Sequence, residues 1–336
     1  MTAALADHHP GAVVGGVTLL TRDDGTNRRA RFALTYTTGS GPERVFLKAE
    51  GEHREVHSRN GNLFNESDLY DSHVPLPLDH PLVYKVITDR PRLDYVIVME
   101  DVTARGAAPR NATRPLTVDQ VANGLRGLAR LHSRYWGFPP DPRLDWVKTW
   151  APTEGFQSGL RAHTPKGLAR GAAHVPSEVA AHGAEGIVDL WADFVSTLHR
   201  EPTTLLHADA HIGNTYVLPD DDVGFLDWQV VRRGNWSQDV GYFLIGALTT
   251  EDRRRHESDL LADYRTALDV ETRPSADDAR LRYRASAAYG LAIWLSTLGT
   301  DGYQPHEISL PLAERYATAF VDLNTETALK DLQRQI

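Results

Sequence analysis

Residues 205–229 read LLHADAHIGNTYVLPDDDVGFLDWQ. His207, Asp209, His211 and Asn214 fall in one short segment that follows an apolar run, and Asp227 comes 13 residues after Asn214. Two short apolar runs, TYVL at 215–218 and VGFL at 223–226, flank the acidic stretch between them and read as a hairpin. A hairpin of that length brings Asp227 back beside the loop from which it started. Two carboxylates, one amide and two imidazoles then share a small volume, and the rest of the chain has to be read around them.

Such a set suits phosphoryl transfer. The transferred group carries its own negative charge and needs position and cations more than covalent help. Magnesium takes hard oxygen ligands and keeps some waters, so one carboxylate and one side-chain amide oxygen suffice beside nucleotide phosphates. A second carboxylate then stays free of tight ligation and orients an attacking hydroxyl. Asp209 fits that second role; Asn214 and Asp227 fit the metal role. A different reading puts zinc or iron on His207, Asp209 and His211, as in a metal-dependent hydrolase. It needs further ligands and leaves Asn214 and Asp227 without a task. The blandest reading treats these residues as ordinary turn formers, which does not account for the whole spaced set.

Upstream, the chain is rich in strands. Residues 12–20 and 31–37 are strand-like, with Phe32, Leu34 and Tyr36 on one face, and the polar turn TRDDGTNR between them. A Gly-Ser-Gly-Pro turn at 39–42 leads into RVFLK at 44–48, where alternation sets Phe46 and Lys48 on one face and Val45 and Leu47 on the other. Residues 61–70 have helical spacing and place Glu66 among Leu63, Leu69 and Tyr70. A carboxylate in that company needs a cation, and Lys48 is the natural one, with Glu55 as a rival to Glu66. Strands follow at 82–88 and 93–99, the second stopping at Glu100-Asp101. In the loop 22–29, Gly25 permits close backbone approach, while Thr26, Asn27 and Arg28 offer donors to phosphates.

Residues 104–114 read as a linker. Beyond it helices dominate: 117–136 with Thr117 as N-cap, 187–200, 238–248, 251–268, 279–298 and 308–330. The stretch 138–185, with its glycines, prolines and histidines, has no clear pattern. Most tryptophans read as core, while Tyr289 and Trp294 on the late helix are placed toward an acceptor.

The spaced set at His207, Asp209, His211, Asn214 and Asp227 resembles the H-x-D-x-H-x-x-N loop and following metal aspartate of the aminoglycoside phosphotransferase and choline-kinase-like superfamily, close to its ecdysteroid-kinase-like branch. Trp228-Gln229 after the aspartate resembles that family too, whereas Ala208 stands where the family usually has glycine. Lys48 with Glu66-Ser-Asp-Leu-Tyr70 is similar to its Lys and E-x-x-x-Y pair, residues 22–29 to its G-x-x-N-R type loop, and Gln238-Asp239-Val240-Gly241-Tyr242 to its downstream D-[LV]-[AG]-Y element. The resemblance implies an α+β, two-lobed protein-kinase-like fold, with a β-rich lobe over 1–102 and a mainly helical lobe over 103–336. It implies ATP and Mg2+ as cofactors and a small-molecule hydroxyl as acceptor. Asp209 would be the catalytic base, and Asn214 and Asp227 the magnesium ligands. Lys48, held by Glu66, would meet the phosphates. The Glu100 carbonyl and Val102 amide would bond adenine beside Met99, and Asp239 would brace the catalytic loop. A nucleotide-binding scaffold without turnover is the alternative within the same fold.

Composition narrows the field. The chain has 336 residues, 41% apolar and 24% charged, enough for a sizeable core. Its net charge of −9 argues against nucleic acid as partner and leans mildly toward a cationic or neutral one. With no cysteine, disulfides, thiolate catalysis and zinc–thiolate sites are excluded. The N-terminal segment does not read as a signal peptide and no run is long enough for a membrane span, so a cytoplasmic protein without membrane contact is expected. Neither the G-x-x-x-x-G-K-[ST] nor the G-x-G-x-x-G fingerprint occurs.

Overall fold

A computed structural model of the chain describes residues 1–24, 27–52 and 54–335. Five strands, β1 (Val13–Asp24), β2 (Asn27–Thr38), β3 (Arg44–Glu50), β4 (Val83–Asp89) and β5 (Asp94–Glu100), form one antiparallel sheet in the order β1-β2-β3-β5-β4. β1 and β2 run further than their apolar pattern predicts. The ladder continues through Asp23↔Arg29 and Asp24↔Arg28, and an Arg29–Asp23 ion pair at 2.6 Å supports it. Most of the expected polar turn is therefore strand, and Gly25 and Thr26 lie outside the described residues.

The sheet is apolar on both faces, for different reasons. Leu34, Val45, Tyr84 and Val98 pack on one side, closed off by Leu5 from a short helix at Thr2–Leu5. Tyr95, Ile97 and Met99 join the main core through Leu63 and Leu69. The register Phe46↔Met99 and Lys48↔Ile97 puts Phe46 and Lys48 on this inner face, as alternation requires. The helix expected over 61–70 runs instead over Asn65–Asp71, preceded by a separate helix at Arg54–Asn60. Gly61, at φ 67°, breaks the two apart.

Past the sheet, the expected linker is ordered. A 3₁₀ turn at Val102–Arg105 leads into β6 (Ala108–Pro109). Four more short strands complete two small sheets: β7 (Thr203–Leu206), β8 (Thr215–Val217), β9 (Val223–Phe225) and β10 (Arg232–Asn235). One sheet has the order β6-β8-β9 and the other pairs β10 with β7. Between and around them lie helices at Val118–Arg134, Glu154–Arg170, Gly183–Thr197, Ser237–Ala247, Thr250–Ala267, Ala276–Gly299, His306–Asp322 and Thr325–Arg334. Thr117 caps the first of these reciprocally with Gln120.

Two expectations need correction here. The patternless stretch 138–185 contains the helices Glu154–Arg170 and Ser177–Ala180 and the start of Gly183–Thr197. The helix expected over 308–330 is two helices, parted at Asn324, which takes a left-handed conformation at φ 48°.

Candidate active site

The site begins with the strand β7, which delivers the chain to His207, and with Asp239 beneath it. Asp239 is fully buried and accepts hydrogen bonds from the His207 amide at 2.7 Å and the Ala208 amide at 2.8 Å. A third contact comes from the His132 Nε2 at 3.3 Å. These bonds hold Ala208 at φ 66°, a left-handed conformation that favours glycine and costs a Cβ-bearing residue about 1–2 kcal/mol. The Gln238 side chain donates to the Ala208 carbonyl at 2.9 Å and so holds the same residue through its following peptide. Asp239→Asn leaves one of two buried amides facing an NH2 group and removes the charge. It is expected to lower unfolding stability by about 2–3 kcal/mol, measured by urea denaturation.

From this clamp the loop presents Asp209. The Asn214 amide nitrogen donates to its carbonyl at 2.9 Å and to its Oδ2 at 3.0 Å. With the nitrogen so committed, the Asn214 side-chain oxygen is the atom left for other partners, and Asn214 lines the cleft. Burial and the nearby Asp227 carboxylate push the Asp209 carboxyl well above the usual carboxylate range, against the Asn214 amide. The β8–β9 hairpin then returns the chain: the Leu226 amide donates to the Asn214 carbonyl at 2.8 Å, and Asp227 follows at φ 63°.

Across the cleft, Lys48 donates to Glu66 Oε2 at 2.5 Å and to Asp227 Oδ1 at 2.7 Å. The Lys48 and Glu66 side chains are 4% and 3% exposed, while Asp227 keeps 31%. Burial works against the Lys48 ammonium, yet the Asp227 and Glu66 carboxylates outweigh it and keep the amine charged. Burial likewise opposes ionisation of Asp227, and the same ammonium overrides it, holding that carboxyl below its ordinary value. The Trp228 amide donates to Glu66 Oε1 at 3.2 Å, which ties the residue after Asp227 to the helix that packs on the sheet.

The two histidines are braces. His207 is buried, donates from Nε2 to the Leu226 carbonyl at 2.8 Å and accepts the Asp209 amide on Nδ1 at 3.2 Å. Both its nitrogens are occupied, so the hydrolase reading loses a ligand it requires. His211 accepts the Gly213 amide at 3.0 Å and stacks edge-on against Trp294 at 5.1 Å. Burial drives its pKa down to about 4, which leaves the ring neutral.

A cleft lies between the sheet and the hairpin, and Lys48, Glu66, Met99, Glu100, Val102, Asn214 and Asp227 all line it. Of the expected phosphate-loop residues, Asn27 is buried and bonds the Tyr95 hydroxyl at 3.1 Å, and Arg28 points to solvent. Alternation along β2 explains this: Asn27, Arg29 and Arg31 share the inward face, and Arg29 and Arg31 line the cleft in place of Arg28. Glu55 stands exposed and does not compete with Glu66. Arg105 fixes the chain where it leaves the sheet, bonding Asp79 at 2.7 and 3.0 Å and the Tyr216 hydroxyl at 2.9 Å, with Glu100 at 2.9 Å. Reading the sequence alone misses Arg29, Arg31 and Arg105. The period-2 pattern of β2 was the available signal for the first two.

An antiparallel sheet with an inward lysine held by a helix glutamate, set over a helical body that carries an Asp-Asn loop and a hairpin aspartate, is the two-lobed protein-kinase-like fold. The chain belongs to the phosphotransferase enzyme family, whose sequence model matches residues 22–283. It is a phosphotransferase. The matched model describes that family as a whole and not its ecdysteroid-kinase-like branch. No curated protein matches the chain at a significant level.

Among solved structures the chain is similar in fold to a spectinomycin phosphotransferase held with ADP and spectinomycin, at TM-score 0.55 and 15% identity over 96% of this chain and 97% of that one. It is also similar to a choline kinase from Cryptosporidium parvum, at TM-score 0.51 and 11% identity over 95% and 90%. A choline/ethanolamine kinase family protein from Mesorhizobium loti matches at TM-score 0.50 and 15% identity over 99% and 97%. Among the described residues no helix is long and apolar enough to cross a membrane.

Proposed function

We propose that this phosphotransferase moves the γ-phosphoryl group of ATP to a hydroxyl of a small acceptor, with the nucleotide in the cleft between a lobe over residues 1–102 and one over 103–336. One observation carries the reading. Lys48 reaches from the sheet to both Glu66 and Asp227, so the groups that handle phosphate in such enzymes converge from two lobes on one point.

The oxygen donors there suit magnesium. Asn214 commits its nitrogen to Asp209, which frees its oxygen, and Asp227 spends Oδ1 on Lys48 while staying partly open to the cleft. Magnesium bound at these two residues would neutralise charge on the β- and γ-phosphate oxygens. Lys48 would orient the phosphates, with Arg29 and Arg31 adding positive charge along the same wall. Asp209 would accept or orient the proton of the acceptor hydroxyl. Met99, with the backbone of Glu100 and Val102, would take the adenine. The neighbour crystallised with ADP supports a nucleotide of this class.

Asp227→Ala tests the arrangement. Losing one charge-assisted contact of about 1.5–3 kcal/mol should weaken Mg-ATP binding roughly ten- to a hundredfold in a calorimetric titration. Affinity equal to wild type would remove Asp227 from the metal site. An assay for ADP release separates a working transferase from a nucleotide-binding scaffold.

A further inference from the structure

Four arginines are buried among the described residues: Arg232, Arg253, Arg282 and Arg315. Three have partners that explain them. Arg253 pairs with Glu257 and Asp322, Arg282 with Asp278, and Arg315 donates to the Gly246 and Ala112 carbonyls at 2.7 and 2.8 Å. The Arg232 side chain, in a residue 8% exposed, makes neither a hydrogen bond nor an ion pair among the described residues. Its guanidinium carbon lies 5.8 Å from the centroid of the Trp150 ring. Burial lowers its pKa accordingly. The residue as a whole is buried, yet none of its side-chain nitrogens is sealed from solvent, so the cation lacks a protein counter-charge and keeps room to meet a small anion.

Its place in the fold says where the partner would come from. On β10, Arg232 pairs with Leu206, the last residue before the loop that carries Asp209. Trp150 lies against Tyr289 with ring centroids 6.0 Å apart, and the Tyr289 hydroxyl donates to the Ala208 carbonyl at 3.4 Å. Tyr289 is near enough to both Asp209 and Arg232 to feel both charges. Arg232, Trp150 and Tyr289 therefore lead one after another to the Ala208 carbonyl, one residue before Asp209. The nucleotide cleft, where Lys48 and Asp227 sit, does not include Arg232.

We infer that Arg232 binds an anionic group of the acceptor, a carboxylate or a phosphate, while the acceptor's hydroxyl meets Asp209. This rests on the phosphotransferase reading and goes beyond it by assigning the acceptor's charge. It also reverses the mild lean toward a cationic partner that the net charge of −9 suggests, because one buried site outweighs a surface average. Arginine suits this task, since its planar fork matches a carboxylate or phosphate with paired bonds.

The test uses wild type and Arg232→Met, with thermal stabilisation by acceptor at saturating Mg-ADP and, in separate reactions, ADP release from Mg-ATP as the readouts. The probes are hydroxy acids (glycerate, gluconate), a sugar phosphate (glucose 6-phosphate), and the uncharged or cationic alcohols glycerol, sorbitol and choline. Wild type is expected to favour an anionic probe, and the variant to raise its KM about ten- to a hundredfold. Whether the hydroxy acids or the sugar phosphate respond tells carboxylate from phosphate. Without acceptor the variant should melt no lower than wild type, since it loses an unpaired buried charge. A clear drop in its melting temperature would make Arg232 structural. Preference for uncharged or cationic probes, or anion binding equal in both proteins, would equally overturn the inference, as would no anionic probe being held more tightly by wild type. Failure of wild type to bind Mg-ADP would instead strike the phosphotransferase reading itself.

Discussion

Asp209→Asn is expected to lower turnover by about 10²–10⁴ while Mg-ATP affinity stays at the wild-type value, as for loss of a positioned general base. The substitution is chosen for shape. Asn214 donates to the Asp209 main-chain carbonyl at 2.9 Å and to its Oδ2 at 3.0 Å, and an asparagine oxygen accepts the second bond equally well. Asp239 and Gln238 still hold the peptide before it. The loop should therefore keep its form and lose only the ability to take a proton. Single-turnover ADP formation set against calorimetric Mg-ATP binding separates the two effects. Turnover within a few-fold of wild type would show that the acceptor's proton leaves by another route.

Lys48→Met should be the most destabilising single change in the cleft, costing on the order of 3–5 kcal/mol. It leaves Glu66, only 3% exposed, without the cation that balances it, and removes the bond to Asp227. Replacing Glu66 by Met as well should recover much of that loss, because an apolar pair of similar volume fits a buried position that an unpaired carboxylate does not. Urea denaturation of the two variants and wild type checks this. Equal stability of wild type and Lys48→Met would mean that Glu66 is not held in charged form. Activity should be lost in both variants, since neither can orient phosphate from the sheet side.

How far these groups could be seen beforehand depended on whether local pattern or long-range packing decides their position. The strand alternation that places Lys48 inward is local, and so is the β-turn-β spacing that returns Asp227 to Asn214. The Thr117 cap is local as well. Arg29 and Arg31 were hidden because the apolar pattern of their strand fades at Arg31, while the ladder itself continues on Asp–Arg pairs. The helix Glu154–Arg170 was hidden for another reason. Its residues Gly155, Gly159 and Pro165 mimic a loop, yet a Cβ at Gly167 would collide with the Leu295 carbonyl, and one at Gly299 with the His163 carbonyl. Those glycines allow two helices to touch backbone to backbone, which no periodicity announces. Arg232 was equally invisible: only the missing partners in three dimensions set it apart from Arg233 beside it.

The most direct test of the metal centre is a crystal structure with Mn2+ and a non-hydrolysable ATP analogue, read by anomalous scattering from the manganese. A peak about 2 Å from both the Asn214 side-chain oxygen and an Asp227 carboxylate oxygen, touching the analogue's phosphates, is the expected result. A peak on His207 or His211, or none near Asn214 and Asp227 with the analogue bound, would contradict it.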